Sequence, residues 1–195
     1  MKAIIYEHYG PPEVMRIADV PRPEPGDGEM LIRVRAAEAT KVDCELRAFR
    51  FAVNWFWLPL RLGMGVFRPR RRILGTYFSG EVVELGPGVT RFSVGDEVYG
   101  GLGLHMGAYG EYVAVPEDTS IVAKPANMSF EEAAAVPLGG LNALHFLRLV
   151  GVKRGESVLV NGAGGSIGLH GVQIAKAMGA EVTAVDKSEK EEIVR

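Results

Sequence analysis

Cysteine is nearly missing: Cys44 stands alone among 195 residues. That excludes an intrachain disulfide and any multi-thiolate zinc cluster. An excess of either charge is missing too, with 22 Lys+Arg against 24 Asp+Glu. Nucleic acid is therefore not the expected partner, because binding a phosphate backbone takes a concentrated basic surface. Long apolar runs are absent as well. The best candidate, Phe51–Phe67, is too short to span a membrane and is interrupted by Asn54, Pro59 and Arg61. Met1–Gly10 mixes Lys2, Glu7 and His8 with a short apolar run and carries no signal-peptide pattern. The expected setting is cytoplasmic and reducing, with no membrane partner. The basic stretch Arg68-Pro69-Arg70-Arg71-Arg72 reads as the solvated end of an amphipathic lid or loop, with a membrane or phosphate patch as the bolder alternative.

Glycine is in excess. It supplies 25 of the 195 residues, against a usual ~7%, and it clusters at Gly100–Gly110 and Gly162–Gly171. Clustered glycine marks tight turns, or places where backbone approaches something closely.

The first 125 residues predict short strands separated by Gly/Pro turns: Met1–Tyr6, Met30–Ala36, Glu81–Leu85, Asp96–Tyr99 and Glu111–Val115. That texture suggests a barrel or a sandwich. It changes near Pro125. Ser129 and Glu132 have capping-box spacing, opening a helix expected to end at Pro137. Leu141–Val150 predicts a second helix, stopped by Gly151. Strand Ser157–Val160, a helix to Met178 and strand Glu181–Val185 follow. The expected division is residues 1–125 and 126–195.

Between strand and helix stands Asn161-Gly162-Ala163-Gly164-Gly165-Ser166-Ile167-Gly168. Strict G-x-G-x-x-G fails, because Ile167 occupies the third glycine position. The Ala-started variant fits, with Ala163, Gly165 and Gly168 in register. A small residue permits the sharp turn, Gly165 lets a pyrophosphate near the backbone, and Gly168 permits close packing. The helix N-terminus offers free N–H groups to the phosphates. Ile167, Gly171, Ile174 or Ala175, and Met178 are expected on its buried face. Asp186, at the end of the next strand, is placed to accept the hydroxyls of an adenosine ribose and favours NAD; Lys187 could instead pair with a 2′-phosphate. The cofactor expected is NAD(P)H, with the choice between the two forms open.

These residues, together with Val20–Gly26, Ile73–Val82, Val89–Gly100, Gly107–Tyr112 and Ala133–Leu138, make the chain resemble the medium-chain dehydrogenase/reductase family, in its zinc-independent, quinone-oxidoreductase-like branch. The resemblance implies a mixed fold: an N-terminal chaperonin-10-like β-barrel followed by the first βαβ part of a doubly wound Rossmann domain, with the active site in the cleft between. Zinc-dependent members carry Cys where Thr40 stands and His in the segment where Thr76 and Tyr77 stand. Threonine oxygen is a poor zinc ligand beside thiolate or imidazole, so no zinc is expected.

Without that Lewis acid, the resemblance implies hydride transfer to a quinone or an activated C=C or C=O bond. Alcohol dehydrogenase-type or enoyl-reductase chemistry, or a non-catalytic NAD(P)-binding role, are the alternatives. Thr40 is implied beside the nicotinamide. Asp43 and Tyr77 are candidate substrate-pocket groups, Lys41 or Tyr77 a proton donor, and Asn142 a cofactor contact. Cys44 is expected to be small and buried. The partner implied is a small-molecule substrate, and the full-length form is implied to be a homodimer. Two parallel strands cannot cover both faces of a sheet, and complete relatives are longer. The 195 residues are therefore expected to be a C-terminally incomplete chain, inactive alone.

Overall fold

The computed structural model describes residues 1–51 and 57–194, which form two compact units, Met1–Ala134 and Ala135–Arg195. The first is built on antiparallel strands. β1 (Lys2–Tyr6) pairs with β2 (Met15–Asp19). β3 (Glu29–Glu38), β4 (Tyr77–Leu85), β5 (Glu97–Gly101), β6 (Tyr112–Pro116) and β7 (Ser120–Ala123) form a five-stranded sheet in the order β6-β3-β4-β5-β7. Between β3 and β4 lie the helices α1 (Lys41–Ala48) and α2 (Trp57–Met64). Residues 52–56 of the expected Phe51–Phe67 segment lie outside the described residues.

The β3–β4 register shifts twice, between Leu31 and Ile32 and between Val34 and Ala36. Such bulges bend a strand and increase its twist, which curls this sheet around its core. Gly80 is where the curl needs glycine, because a Cβ there would run into the carbonyl oxygen of Arg33. The core is Met30, Ile32, Phe78, Val82, Val98 and Val115, together with Leu102, Ala108, Val113 and Ile121. A second cluster, Tyr6, Leu46, Leu74 and Met106, lies beneath α1.

The second unit holds β8 (Ser157–Asn161) and β9 (Glu181–Val185), paired in parallel, with α4 (Ser166–Ala177) between them and the short α5 (Glu191–Val194) after a 3-10 turn. α3 (Phe130–Val150) begins at the expected capping box: Ser129 N donates to Glu132 Oε2 at 2.8 Å, and Glu132 N donates to Ser129 Oγ at 3.1 Å. Two helices were expected here, broken at Pro137, and one is found. Pro137 removes a single N–H from the ladder, and the buried face runs straight past it through Ala133, Pro137, Gly139, Ala143 and Leu147. Continuous burial therefore outweighs the lost bond.

By length and composition alone α3 could cross a membrane. In the second unit it instead presents Gly139 to α4, where a side chain would collide with the His170 ring. On α4 the buried residues are Gly171, Val172 and Ala175. Ile167, expected among them, is 42% exposed, because the glycine turn rotates the first helical residues outward.

Candidate functional site

The first unit offers a mostly apolar cavity of about 690 Å³, walled by Ile4, Val34, Ala36 and Leu74 and floored by Thr40, Asp43 and Tyr109. Thr40 is the N-cap of α1, and Thr40-Lys41-Val42-Asp43 closes a capping box. Thr40 N donates to Asp43 Oδ2 at 2.9 Å, Thr40 Oγ1 donates to the same oxygen at 2.7 Å, and Asp43 N donates back to Thr40 Oγ1 at 3.2 Å. The other carboxylate oxygen accepts Gly75 N at 3.2 Å. Both side chains are buried, at 5% and 4% exposure.

Gly75 explains how a third group arrives. Its φ of +93° suits glycine, and a Cβ there would stand 2.6 Å from the ring of Tyr109. The ring fills that space, its phenol reaching Glu38 O at 3.5 Å with the Asp43 carboxylate nearby. Burial, then the Asp43 carboxylate, push the Tyr109 phenol well above the ordinary tyrosine range. The sequence reading did not select Tyr109 as a site residue, although it lies in the Gly107–Tyr112 motif.

The other expected residues stand apart from this floor. Lys41 points into solvent and pairs with Glu45 at 3.6 Å. Tyr77 opens β4 opposite Glu38 and Gly101; its phenol is raised by burial, then by Glu38 and Asp43. Neither is among the described residues lining the cavity. Cys44, expected to be buried, is exposed at the cavity edge, because α1 turns that face outward.

In the second unit the glycine segment joins β8 to α4. Gly162 carries the positive φ, +78°. Gly162 N and Ala163 N both donate to Val185 O, at 2.8 and 3.1 Å, which ties the turn to the end of β9. Gly168 is where packing is tightest: a Cβ would meet the Gly162 carbonyl oxygen and lie 2.7 Å from Ala163 Cα. Gly165, the N-cap, is different, since a Cβ there would meet only Gly162 O at 3.4 Å. Open space over Gly165, and the unpaired N–H groups that begin α4 at Ser166 and Ile167, form the cradle a pyrophosphate requires. The residues present thus fit a dinucleotide.

Asp186 turns toward the loop. Its Oδ2 accepts Gly164 N at 2.7 Å and its Oδ1 accepts Lys187 N at 2.7 Å. The Lys187 N–H first, then the Gly164 N–H, hold this carboxyl below its usual range, helped by the charges of Lys190 and Lys187. Lys190, which the sequence reading passed over, donates to Gly164 O at 3.2 Å. Lys187 is exposed. Asn142, on α3, spends its amide on Leu138 O at 2.7 Å. Among the described residues no three His, Cys, Asp or Glu side chains come together as a metal set.

Residues 26–126 match the alcohol dehydrogenase GroES-like domain. The chain is 35% identical over 196 residues to a quinone oxidoreductase of Pseudomonas aeruginosa, covering all of this chain and 55% of the relative. It is 32% identical over 205 residues to a 2-methylene-furan-3-one reductase of Solanum lycopersicum, covering all of this chain and 50% of the relative. Among solved structures, a mycobacterial protein complexed with NADPH superposes with a TM-score of 0.78 at 31% identity, over all of this chain and 56% of that one. The chain spans about half the length of the curated relatives it matches.

Proposed function

Since the chain belongs to the medium-chain dehydrogenase/reductase family, with the alcohol dehydrogenase GroES-like domain at residues 26–126, we propose that it is part of an NAD(P)H-dependent oxidoreductase. It reduces a quinone or an activated C=C or C=O bond without zinc. The observation that carries the zinc-free reading is the donor set: the buried hydroxyl of Thr40 lines the cavity, and Thr76 and Tyr77 stand where zinc-dependent relatives place histidine. Oxygen donors of this kind compete poorly for zinc with thiolate and imidazole.

The nicotinamide, when bound, supplies the hydride. The chain's own residues bind and orient. Thr40 Oγ1 donates its one hydrogen bond to Asp43 Oδ2 and keeps a lone pair, so toward a bound ligand it can act only as an acceptor. Tyr109, beside Asp43 and kept neutral by burial, walls the same carboxylate off. Substrate protonation therefore draws on solvent, and Lys41, turned outward to Glu45, takes no part. The apolar walls hold a flat, weakly polar substrate and exclude most water. Asp186 weighs for NADH and Lys187 with Lys190 for NADPH.

Cofactor binding tests this reading through quenching of NAD(P)H fluorescence. Gly165→Val should lose at least about tenfold in affinity, since its side chain fills the open space a pyrophosphate would use. Unchanged affinity overturns the loop assignment. Stoichiometric zinc by metal analysis overturns the zinc-free chemistry. Turnover of a quinone and enone panel by the 195 residues alone would overturn the expectation that they are inactive by themselves. Tight binding with no turnover by a longer chain would favour a non-catalytic role.

A further inference from the structure

The first unit contains a second chamber, of about 640 Å³. It shares two pieces of chain with the first cavity. On β1, Ala3 and Ile4 line one and Ile5 the other; beyond β5, Ala108 and Tyr109 line one and Met106 and Gly107 the other. The second chamber has an apolar wall of Ile5, Ile73, Met106, Tyr112 and Val113, and a rim of Arg70, Arg71 and Arg72 with His105. Among the described residues Glu29 is the only carboxylate lining it, and Glu29 Oε2 accepts Gly26 N at 2.9 Å.

Arg70, Arg71 and Arg72 bring three positive charges to one rim, and their neighbourhood offers little relief. Arg72 pairs with Glu7 at 3.8 Å. Among the described residues, Arg70 and Arg71 have no carboxylate within ion-pair distance. Their backbone is nonetheless pinned. Gly65, at φ +115°, makes a turn in which a Cβ would collide with Arg68 O. Arg70 N donates to Met64 O at 2.9 Å, and Arg72 O accepts Tyr6 N at 3.0 Å. Ile73 bridges to Ile5. The backbone of the rim is thus ordered before anything binds, and guanidinium forks match carboxylate and phosphate oxygens in pairs.

We propose that this chamber is a binding site for an amphiphilic organic anion, its carboxylate or phosphate head on Arg70 and Arg71 and its hydrocarbon body against the Ile5–Ile73–Val113 wall. A volume of 640 Å³ lies in the range of small-molecule sites. The site requires neither the glycine loop nor Thr40, so it stands or falls apart from the proposed reductase activity.

Titration calorimetry on the 195-residue chain tests it with decanoate, decyl phosphate, decanol and inorganic phosphate. Decanoate or decyl phosphate should bind, the better of the two naming the head group, with decanol and inorganic phosphate at least about tenfold weaker. The Arg70→Ala/Arg71→Ala variant, whose side chains are exposed, should fold normally and lose at least tenfold in affinity for that ligand. Arg16→Ala, which breaks only the surface pair with Glu7, should bind as the parent does. Equal binding of decanol, or an unchanged double variant, overturns the charge recognition. Inorganic phosphate binding as tightly as decyl phosphate overturns the apolar half.

Discussion

The two units bury themselves to different degrees. In the first, both sides of the curled sheet are put to use: Met30, Leu31 and Ile32 are consecutive on β3 and all have 0% exposure. In the second, the parallel pair β8–β9 has no fully buried strand residue, and Leu159 is 66% and Val185 42% exposed. Parallel sheets are ordinarily covered on both faces. The difference teaches where cohesion resides: the first unit is held by its core, and the second by the packing of α3 on α4, the glycine turn and the β8–β9 pairing.

Paired truncations would break the comparison most sharply. Phe78→Ala, at a site with 0% exposure, should cost about 3–5 kcal/mol, whereas Leu159→Ala should cost under about 0.5 kcal/mol. Urea unfolding followed by tryptophan fluorescence for the first unit, and amide exchange of β8 for the second, reads both. Equal costs would mean that the second sheet is covered in solution. A smaller effect is expected at Asp43. Asp43→Ala leaves Gly75 N and Thr40 N buried without their acceptor, costing about 2–3 kcal/mol. It should also loosen the Tyr109 ring, visible in near-ultraviolet circular dichroism; an unaltered spectrum would remove Asp43 as its brace.

The smallest effect separates the units by pH. The phenols of Tyr6 and Tyr109 are raised, chiefly by burial. Above about pH 10 the unfolded chain sheds protons that the folded chain keeps, so stability falls as pH climbs. Ala135–Arg195 contains no tyrosine, and amide exchange should show β3 and β4 loosening while β8 and β9 are unaffected. Asp186 works the other way. Its carboxyl is lowered, so its contribution is present above the ordinary carboxylate pKa and disappears as pH drops through the folded value. Protection of Gly164 N, relative to the intrinsic exchange rate at each pH, should fall on acidification in the parent and not in Asp186→Asn. Identical alkaline sensitivity in both units would erase the distinction.

Much of the second unit was legible because its signals are local. The glycine segment and the stop at Gly151 each depend on residues a few positions apart, as does the Ser129–Glu132 box that starts α3 at the end of the first unit. Less of the first unit was legible. β2 and β7, with exposure patterns of mostly half-buried or exposed residues, carry little alternation and exist because β1 and β5 pair with them. α1 is short and polar; its start signal, Thr40 with Asp43 three residues on, was present but was read as chemistry rather than as a cap. The Tyr109 contact joins positions 43, 75 and 109, a convergence that no local window contains. Pro137 misled for the opposite reason, because a strong local signal lost to packing along the whole of α3.

The grip on Gly164 has a consequence for how a ligand meets the loop. Asp186 holds the amide hydrogen of that residue and Lys190 its carbonyl oxygen, from 22 and 26 positions further along the chain. The chain that follows β9 therefore holds this turn in one shape from both sides of the Gly164 residue. If a phosphate binds this loop as proposed, slackening the clasp by Lys190→Ala should register in the association rate as well as in the preference for NADPH.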